Sequence, residues 1–295
     1  MKKEELSLLP VLQSIKSEYN LSNNALKDIM QCSAATVSQY LNGATEISID
    51  KTMLLDTWLK AEKNKDIYEY VFNLNTNLSF FHGSRQGIKG KIVPNYSKRK
   101  KPSDFGKGFY LGETFKQSST FVAAENKGLD RIYRFAFNMD DLKTLRLDGV
   151  RWVMFVAYNR GKINEEDSDN DIVIKDMKRI INNKYDVIIG PIADDRMSIS
   201  MDNFFANLIT YEQLMDCLKQ LSIGDQYCLL TQKACDKLEM LEEYYLTGPV
   251  RYFIREYATE KRNDAVNEST RINNETDETG RKFKDLLKEY GKYIV

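Results

Sequence analysis

The single histidine of the chain, His82, closes an apolar run, Phe80-Phe81-His82-Gly83-Ser84. An imidazole, a backbone bare of side chain and a hydroxyl therefore follow one another where a strand is expected to end. A histidine after a strand is by itself more often structural than catalytic, and its meaning depends on its company. That company comes about two dozen residues later, in Asp104-Phe105-Gly106-Lys107-Gly108-Phe109-Tyr110-Leu111-Gly112. Glycines flanking a lysine permit either positive φ or the close approach of backbone to a flat ligand, and the tyrosine at the strand edge supplies a π face. A third segment, Asp225-Gln226-Tyr227-Cys228-Leu229-Leu230-Thr231, places an uncharged amide just inside another aromatic and apolar run.

The first two segments resemble the nicotinamide-binding motifs of ADP-ribosyltransferases, specifically a bacterial group with His-Gly-Ser followed by Asp-Phe-Gly-x-Gly-Phe-Tyr. The resemblance continues through Asp186-Val187-Ile188-Ile189-Gly190-Pro191-Ile192-Ala193-Asp194-Asp195-Arg196 and through the Gln226 segment, so it covers nearly the whole stretch from Leu78 to Leu241. It implies an α+β fold with a split β-sheet that binds NAD as a substrate. By position, Gly83 would offer its backbone N–H and C=O to the nicotinamide amide, His82 would bond the adenosine ribose, and Tyr110 would stack on the nicotinamide ring. Ser84 would add a hydroxyl contact and Gly108 would admit the cofactor.

Gln226 stands where many of these transferases carry a glutamate, although glutamine is common in the bacterial group. Cleaving the nicotinamide bond passes through a sugar cation, which an anionic side chain would stabilise while bonding the ribose hydroxyl. Glutamine keeps the second capability. The catalytic set implied is therefore Gln226, Tyr110 and His82, with Asp225, Asp194 or Asp195 as carboxylates that could serve as a base. The aspartates, Asp104 included, read equally well as turn residues bonding their own backbone. The basic run Lys98 to Lys101 reads as a solvated loop, with a pyrophosphate contact as the alternative, and Arg196 divides in the same way between a surface ion pair and a phosphate clamp.

These residues need elements to hold them. Short β-branched or aromatic runs, Leu78 to Phe81, Arg131 to Phe137, Val187 to Ile189 and Tyr227 to Leu230, alternate with helical stretches between Leu78 and Leu241 and predict a mixed α+β region. Trp152, Phe155 and Tyr158 lie at helical spacing and read as a core-facing stripe.

Ahead of this region, Leu9, Leu12 and Ile15, then Leu26, Ile29 and Met30, then Val37, Tyr40 and Leu41, and finally Met53, Leu54, Leu55 and Trp58 recur at helical spacing. Ser22 is placed to cap one helix, Gln31 to Ala34 makes a turn, and Ala35 to Leu41 forms a second helix closed by Asn42 and Gly43. This pair resembles the helix-turn-helix of repressor-like domains, in which Thr36, Ser38 and Gln39 would reach DNA, and such binding would require a dimer or a second contact surface. The alternative is a helical hairpin packed on a neighbour. Lys16, Lys27, Lys51 and Lys60 are few for a DNA surface.

After Arg251 the composition turns polar, and Glu260 to Gly280 reads as a linker or mobile tail before a last helical piece at Phe283 to Tyr290. Phe283, Leu286, Leu287 and Tyr290 would either dock on the chain or meet a partner helix. The expected division is residues 1–72, a helical domain; 73–247, the α+β domain; and 248–295, the tail.

Lysine plus arginine and aspartate plus glutamate number 43 each, so no overall field draws the molecule to nucleic acid or membranes. Cys32, Cys217, Cys228 and Cys235 show no paired spacing, which argues against a zinc site or a disulfide framework and for free thiols in a reducing cytoplasm. No run reaches the length of a membrane span. The resemblance implies a toxin or defence-module transferase that modifies a protein, RNA or DNA acceptor and is held by a small antitoxin-like protein. The competing readings are a transcriptional regulator whose central domain senses NAD or another nucleotide, and a catalytically inert interaction module.

Overall fold

Two serines set the first helices. Ser22 accepts the backbone N–H of Ala25 at 3.0 Å and Ser33 that of Thr36 at 3.0 Å, each in the extended conformation that an N-cap requires. Between them Gln31 turns the chain with φ of 48°. A computed structural model of the chain describes residues 2–73, 79–94, 103–123, 130–182, 184–192, 198–221, 224–275 and 279–294. Lys98 to Lys101, Asp194, Asp195, Arg196 and Leu78 lie outside the described residues.

In chain order the elements begin with strand β1 (Lys2–Leu6) and helices α1 (Leu9–Glu18), α2 (Asn23–Ile29), α3 (Ala34–Leu41), α4 (Ile49–Lys63) and α5 (Tyr68–Val71). Then come β2 (Phe80–Ser84), β3 (Phe109–Gly112), α6 (Phe115–Ala123), β4 (Arg131–Phe137), β5 (Thr144–Arg146), α7 (Gly149–Asn159), α8 (Asp171–Asn182) and β6 (Val187–Pro191). The chain continues through α9 (Ser198–Phe205), α10 (Tyr211–Leu221), β7 (Asp225–Leu229), α11 (Gln232–Cys235), β8 (Leu238–Leu246), α12 (Gly248–Asn274) and α13 (Phe283–Glu289). The protein is mixed α+β, as the alternation of its runs predicts.

The chain forms two compact units, each assembled from separate stretches. The first comprises Met1–Gly87, Ser118–Phe135 and Met240–Thr259, and so takes in residues on both sides of positions 72 and 247. Its strands run in the order β1, β8, β4, β2, with β1 parallel to β8 and β2 antiparallel to β4. The charged opening Lys2–Leu6 carries no alternation that would mark a strand. It pairs because Lys3 faces Glu243 at 3.8 Å, while the buried Glu243 also accepts from Arg131 at 3.0 Å and from the Tyr133 hydroxyl at 2.9 Å. The helices of this unit close over Leu12, Ile15, Leu26, Met30, Val37, Tyr40 and Leu55, all buried. Met53, on the same pattern, is instead 49% exposed. Tyr68 and Phe72 hold the edge of Tyr257 on α12, with ring centroids 5.0 and 4.9 Å away.

The second unit comprises Ile88–Gln117, Ala136–Glu239 and Glu260–Val295. Its strands run β3, β7, β6, β5; β7 is antiparallel to both neighbours and β5 is parallel to β6. Helix α7 is its core. Trp152 and Phe155 are buried as the helical stripe predicts, and Val153, Met154 and Val156 around them are buried too, which makes α7 apolar on every side.

The polar stretch after Glu260 departs from the expected linker, because α12 carries it as helix as far as Asn274. Ala265, Ser269 and Ile272 form its buried stripe, at a spacing of four and three, and small residues mask such a stripe from a search for large apolar side chains. Ser269 meets Ser200 at 2.7 Å, and the Gln213 amide donates to the carbonyls of Ile272 and Glu275, groups that a helix end leaves without partners. Beyond it Phe283, Leu286 and Tyr290 are buried in this unit's own core. The terminal stripe therefore docks on the chain, and the Tyr290 hydroxyl donates to the buried Asp176 at 2.8 Å.

Candidate active site

Strand β7 carries the centre of the site because of what lies beside it. Cys228 pairs with Tyr110 on β3 and with Ile188 on β6; Gln226, two residues earlier and on the same face, pairs with Gly112 and Gly190. Tyr110 and Gln226 are thus diagonal neighbours on one face of the second unit's strands. Both glycines beside Gln226 serve packing. A β-carbon at Gly190 would stand 2.8 Å from the Leu147 carbonyl and 3.1 Å from Trp152, and one at Gly112 would stand 2.6 Å from the Gln117 amide oxygen.

Tyr110 is half-buried and tied to the turn that precedes it. Its hydroxyl donates to the Gly106 carbonyl at 2.7 Å and accepts from the Phe105 N–H at 3.2 Å, while Gly106 itself takes φ of 80°. Burial, together with the nearby Cys228 thiol and Asp104 carboxylate, pushes this hydroxyl well above the ordinary tyrosine range. It stays protonated and acts as an anchor for a ring that packs against the second unit's core. Gly108 brings the chain against β7: a β-carbon there would be 2.2 Å from the Cys228 sulfur. Burial pushes the Cys228 thiol up to about 12, so it is packing rather than a nucleophile.

Gln226 is buried, and its Nε2 donates to the Pro191 carbonyl at 3.1 Å and to Asp104 Oδ2 at 3.3 Å. Asp104 Oδ1 in turn accepts from Arg160 Nε at 3.0 Å and Nη2 at 2.6 Å. Trp152 Nε1 shares the Pro191 carbonyl at 3.1 Å. The 103–106 turn and the end of β6 thus meet the side-chain amide at the start of β7, while α7 braces them through Arg160 on Asp104 and Trp152 on Pro191.

Asp225 is placed differently from a base. Its carboxylate is paired with Arg146 at 2.5 Å, and its backbone N–H donates to Glu113 Oε2 at 3.1 Å. Glu113 also accepts the Tyr227 hydroxyl at 2.9 Å, which makes it a brace for the β3 and β7 ends. Neither the bracing role of Glu113 nor the grip of Arg160 on Asp104 has a signal in the sequence, since each partner is more than 50 residues away. Asp104, read equally well as an ordinary turn residue, is the carboxylate that contacts Gln226.

His82, Gly83 and Ser84 lie half-buried on β2 of the first unit, opposite Tyr133, Ile132 and Arg131. Gly83 is a glycine for a reason visible within that unit: a β-carbon would sit 2.5 Å from the Ser118 carbonyl on α6. On α3, Ser38 and Gln39 are exposed, whereas the Thr36 hydroxyl lies 2.9 Å from that of Ser33 and is half-buried. Lys16, Lys27, Lys51 and Lys60 each have a partner. Lys16 donates to the Leu21 carbonyl at 2.5 Å, and Lys27, Lys51 and Lys60 pair with Asp28, Asp50 and Asp56.

The class defined so far is a mixed α+β protein whose second unit buries a pinned glutamine amide beside an anchored tyrosine. Over residues 78–240 the chain matches, and belongs to, the family described as Protein of unknown function (DUF3990). No curated protein and no solved structure matches it. Among the described residues no helix is long and apolar enough to cross a membrane.

Proposed function

We propose that the chain is an NAD-dependent ADP-ribosyltransferase acting on a macromolecular acceptor. The observation that carries this reading is the presentation of Tyr110 and Gln226 on one face of paired strands, with the Gln226 amide held by two acceptors. A tyrosine ring anchored by its hydroxyl is suited to stack on nicotinamide, and a buried amide is suited to bond a ribose hydroxyl. His82, Gly83 and Ser84 keep the roles that their motif implies.

In the reaction, a nucleophile of the acceptor forms a bond to the anomeric carbon of the NAD ribose as the bond to nicotinamide breaks. Nicotinamide leaves with the electron pair, which neutralises its ring nitrogen, and the acceptor loses a proton. Preorganised polar groups facing the developing sugar cation lower the barrier without reorganising during the step. A toxin or defence role, with a small antitoxin-like protein as inhibitor, belongs to the same proposal.

The test is nicotinamide release from labelled NAD by the full chain, with and without cell lysate, alongside Tyr110→Ala and Gln226→Ala. Transfer of label to a macromolecule that both substitutions stop supports the reading, and the labelled fraction names the acceptor class. A second reading is favoured by the exposed Ser38 and Gln39 on the capped α3: a DNA-binding regulator through a helix-turn-helix. Sequence-selective DNA retention with no release of nicotinamide would establish it in place of the first.

A further inference from the structure

If the protein transfers ADP-ribose as proposed, its site holds a neutral amide where a negative charge would be useful. The second unit places a carboxylate one hydrogen bond further back. Asp104 Oδ2 lies 3.3 Å from Gln226 Nε2, and Arg160 grips the other carboxylate oxygen with two N–H groups at 3.0 and 2.6 Å. Asp104 and Arg160 are both largely buried, with side chains 12% and 19% exposed. Solvent screening of this arrangement is accordingly weak.

The partners also fix which way the amide faces. Pro191 O and Asp104 Oδ2 are both acceptors, so only the NH2 end of Gln226 can face them; the reversed amide would set its oxygen against two others. The carbonyl Oε1 is therefore the atom turned away from both. An amide that donates to a carboxylate is polarised, and its own oxygen becomes a stronger acceptor. A glutamate at position 226 would instead bring two carboxylates to about the same separation, where like charges disfavour joint ionisation.

We infer that Asp104 is a positioning residue for Gln226: held by Arg160, it fixes the amide with Oε1 turned away from the two acceptors and polarises that oxygen. This inference rests on the transferase reading. It explains why the amide and the carboxylate occupy these two positions and not the reverse.

The experiment is a charge exchange in the full chain. Wild type, Asp104→Asn, Gln226→Glu and the double variant are compared for NAD affinity by calorimetry, for kcat of nicotinamide release across pH, and for thermal stability. In Asp104→Asn two NH2 groups compete for the same space, the Gln226 amide loses its fixed orientation, and kcat falls about 10- to 100-fold with NAD affinity nearly unchanged. In Gln226→Glu a proton shared between the two carboxylates gives the pH–rate profile an inflection that wild type lacks. The double variant recovers part of the lost kcat, because the introduced amide donates to the introduced carboxylate while its oxygen still faces Arg160, and the Pro191 carbonyl, which loses its donor from position 226, limits the recovery.

An Asp104→Asn enzyme with wild-type kcat, or a double variant no better than the poorer single one, overturns the inference and leaves the transferase reading standing. A wild-type protein that neither binds nor consumes NAD overturns both. Should Asp104→Asn fail to fold, a pH profile of Gln226→Glu identical to that of wild type would overturn the inference by itself.

Discussion

At the scale of single residues, burial separates the groups that anchor from those able to act. Tyr110 and Gln226 stand out in the sequence by type and spacing, and their neighbours on the paired strands follow from that. Asp104 is legible only as a turn residue, because its partners Arg160 and Gln226 are distant in the chain and meet it through tertiary packing. Asp176 shows the same limit with no functional motif nearby. It is buried, which alone would raise its pKa, but the Tyr290 hydroxyl and the guanidiniums of Arg151 and Arg179 hold its carboxyl below the ordinary 3.8. A depressed folded-state pKa contributes stability that is present above 3.8 and is lost as pH falls through the lower folded value. Asp176→Asn is therefore expected to cost about 1–3 kcal/mol near neutral pH, by leaving the partly buried Arg151 guanidinium and the half-exposed Arg179 guanidinium without their anion. In thermal melts the gap to wild type should shrink steadily as pH falls below 3.8, and a gap independent of pH would show that the charge is immaterial.

At the scale of elements, the strand pattern of the central region is legible because its β-branched and aromatic runs are dense; β4 spans the same residues, Arg131–Phe137, that composition marks. The β1 strand and the helical course of α12 are not, since a charged edge strand and a stripe of alanine and serine lack the large apolar side chains on which pattern reading depends. The glycines are legible as places of close approach but not as to what approaches. At Gly108 the neighbour is the Cys228 sulfur, and behind it the Leu229 carbonyl at 3.0 Å. Gly108→Ala is expected to destabilise the protein by about 1–3 kcal/mol through overpacking. Adding Cys228→Ala should restore part of this, because the sulfur is removed while the carbonyl remains. Equal loss in the single and double variants would move the constraint from the sulfur to the backbone.

At the scale of the whole molecule, basic and acidic side chains balance at 43 each, and the last helix completes a core. Phe283, Leu286 and Tyr290 are 4%, 0% and 0% exposed, so deletion of residues 279–295 opens apolar surface that the second unit needs covered. Such a truncation should lower the melting temperature sharply and bind a hydrophobic dye. A truncated protein as stable as the full chain would show that the segment only rests on the surface.

The carbonyl of Pro191 offers a further use. It receives both the Trp152 indole N–H and the Gln226 amide, and the chain has two tryptophans, the other being Trp58 on α4 beside Tyr19. A carbonyl shared in this way couples its donors, since a stronger bond to one weakens the pull on the other. The Trp152 indole proton is thus a built-in spectator of the site: of two indole resonances, one should shift when an occupant draws on Gln226 while that of Trp58 stays in place, and occupancy could be followed without any label on the ligand.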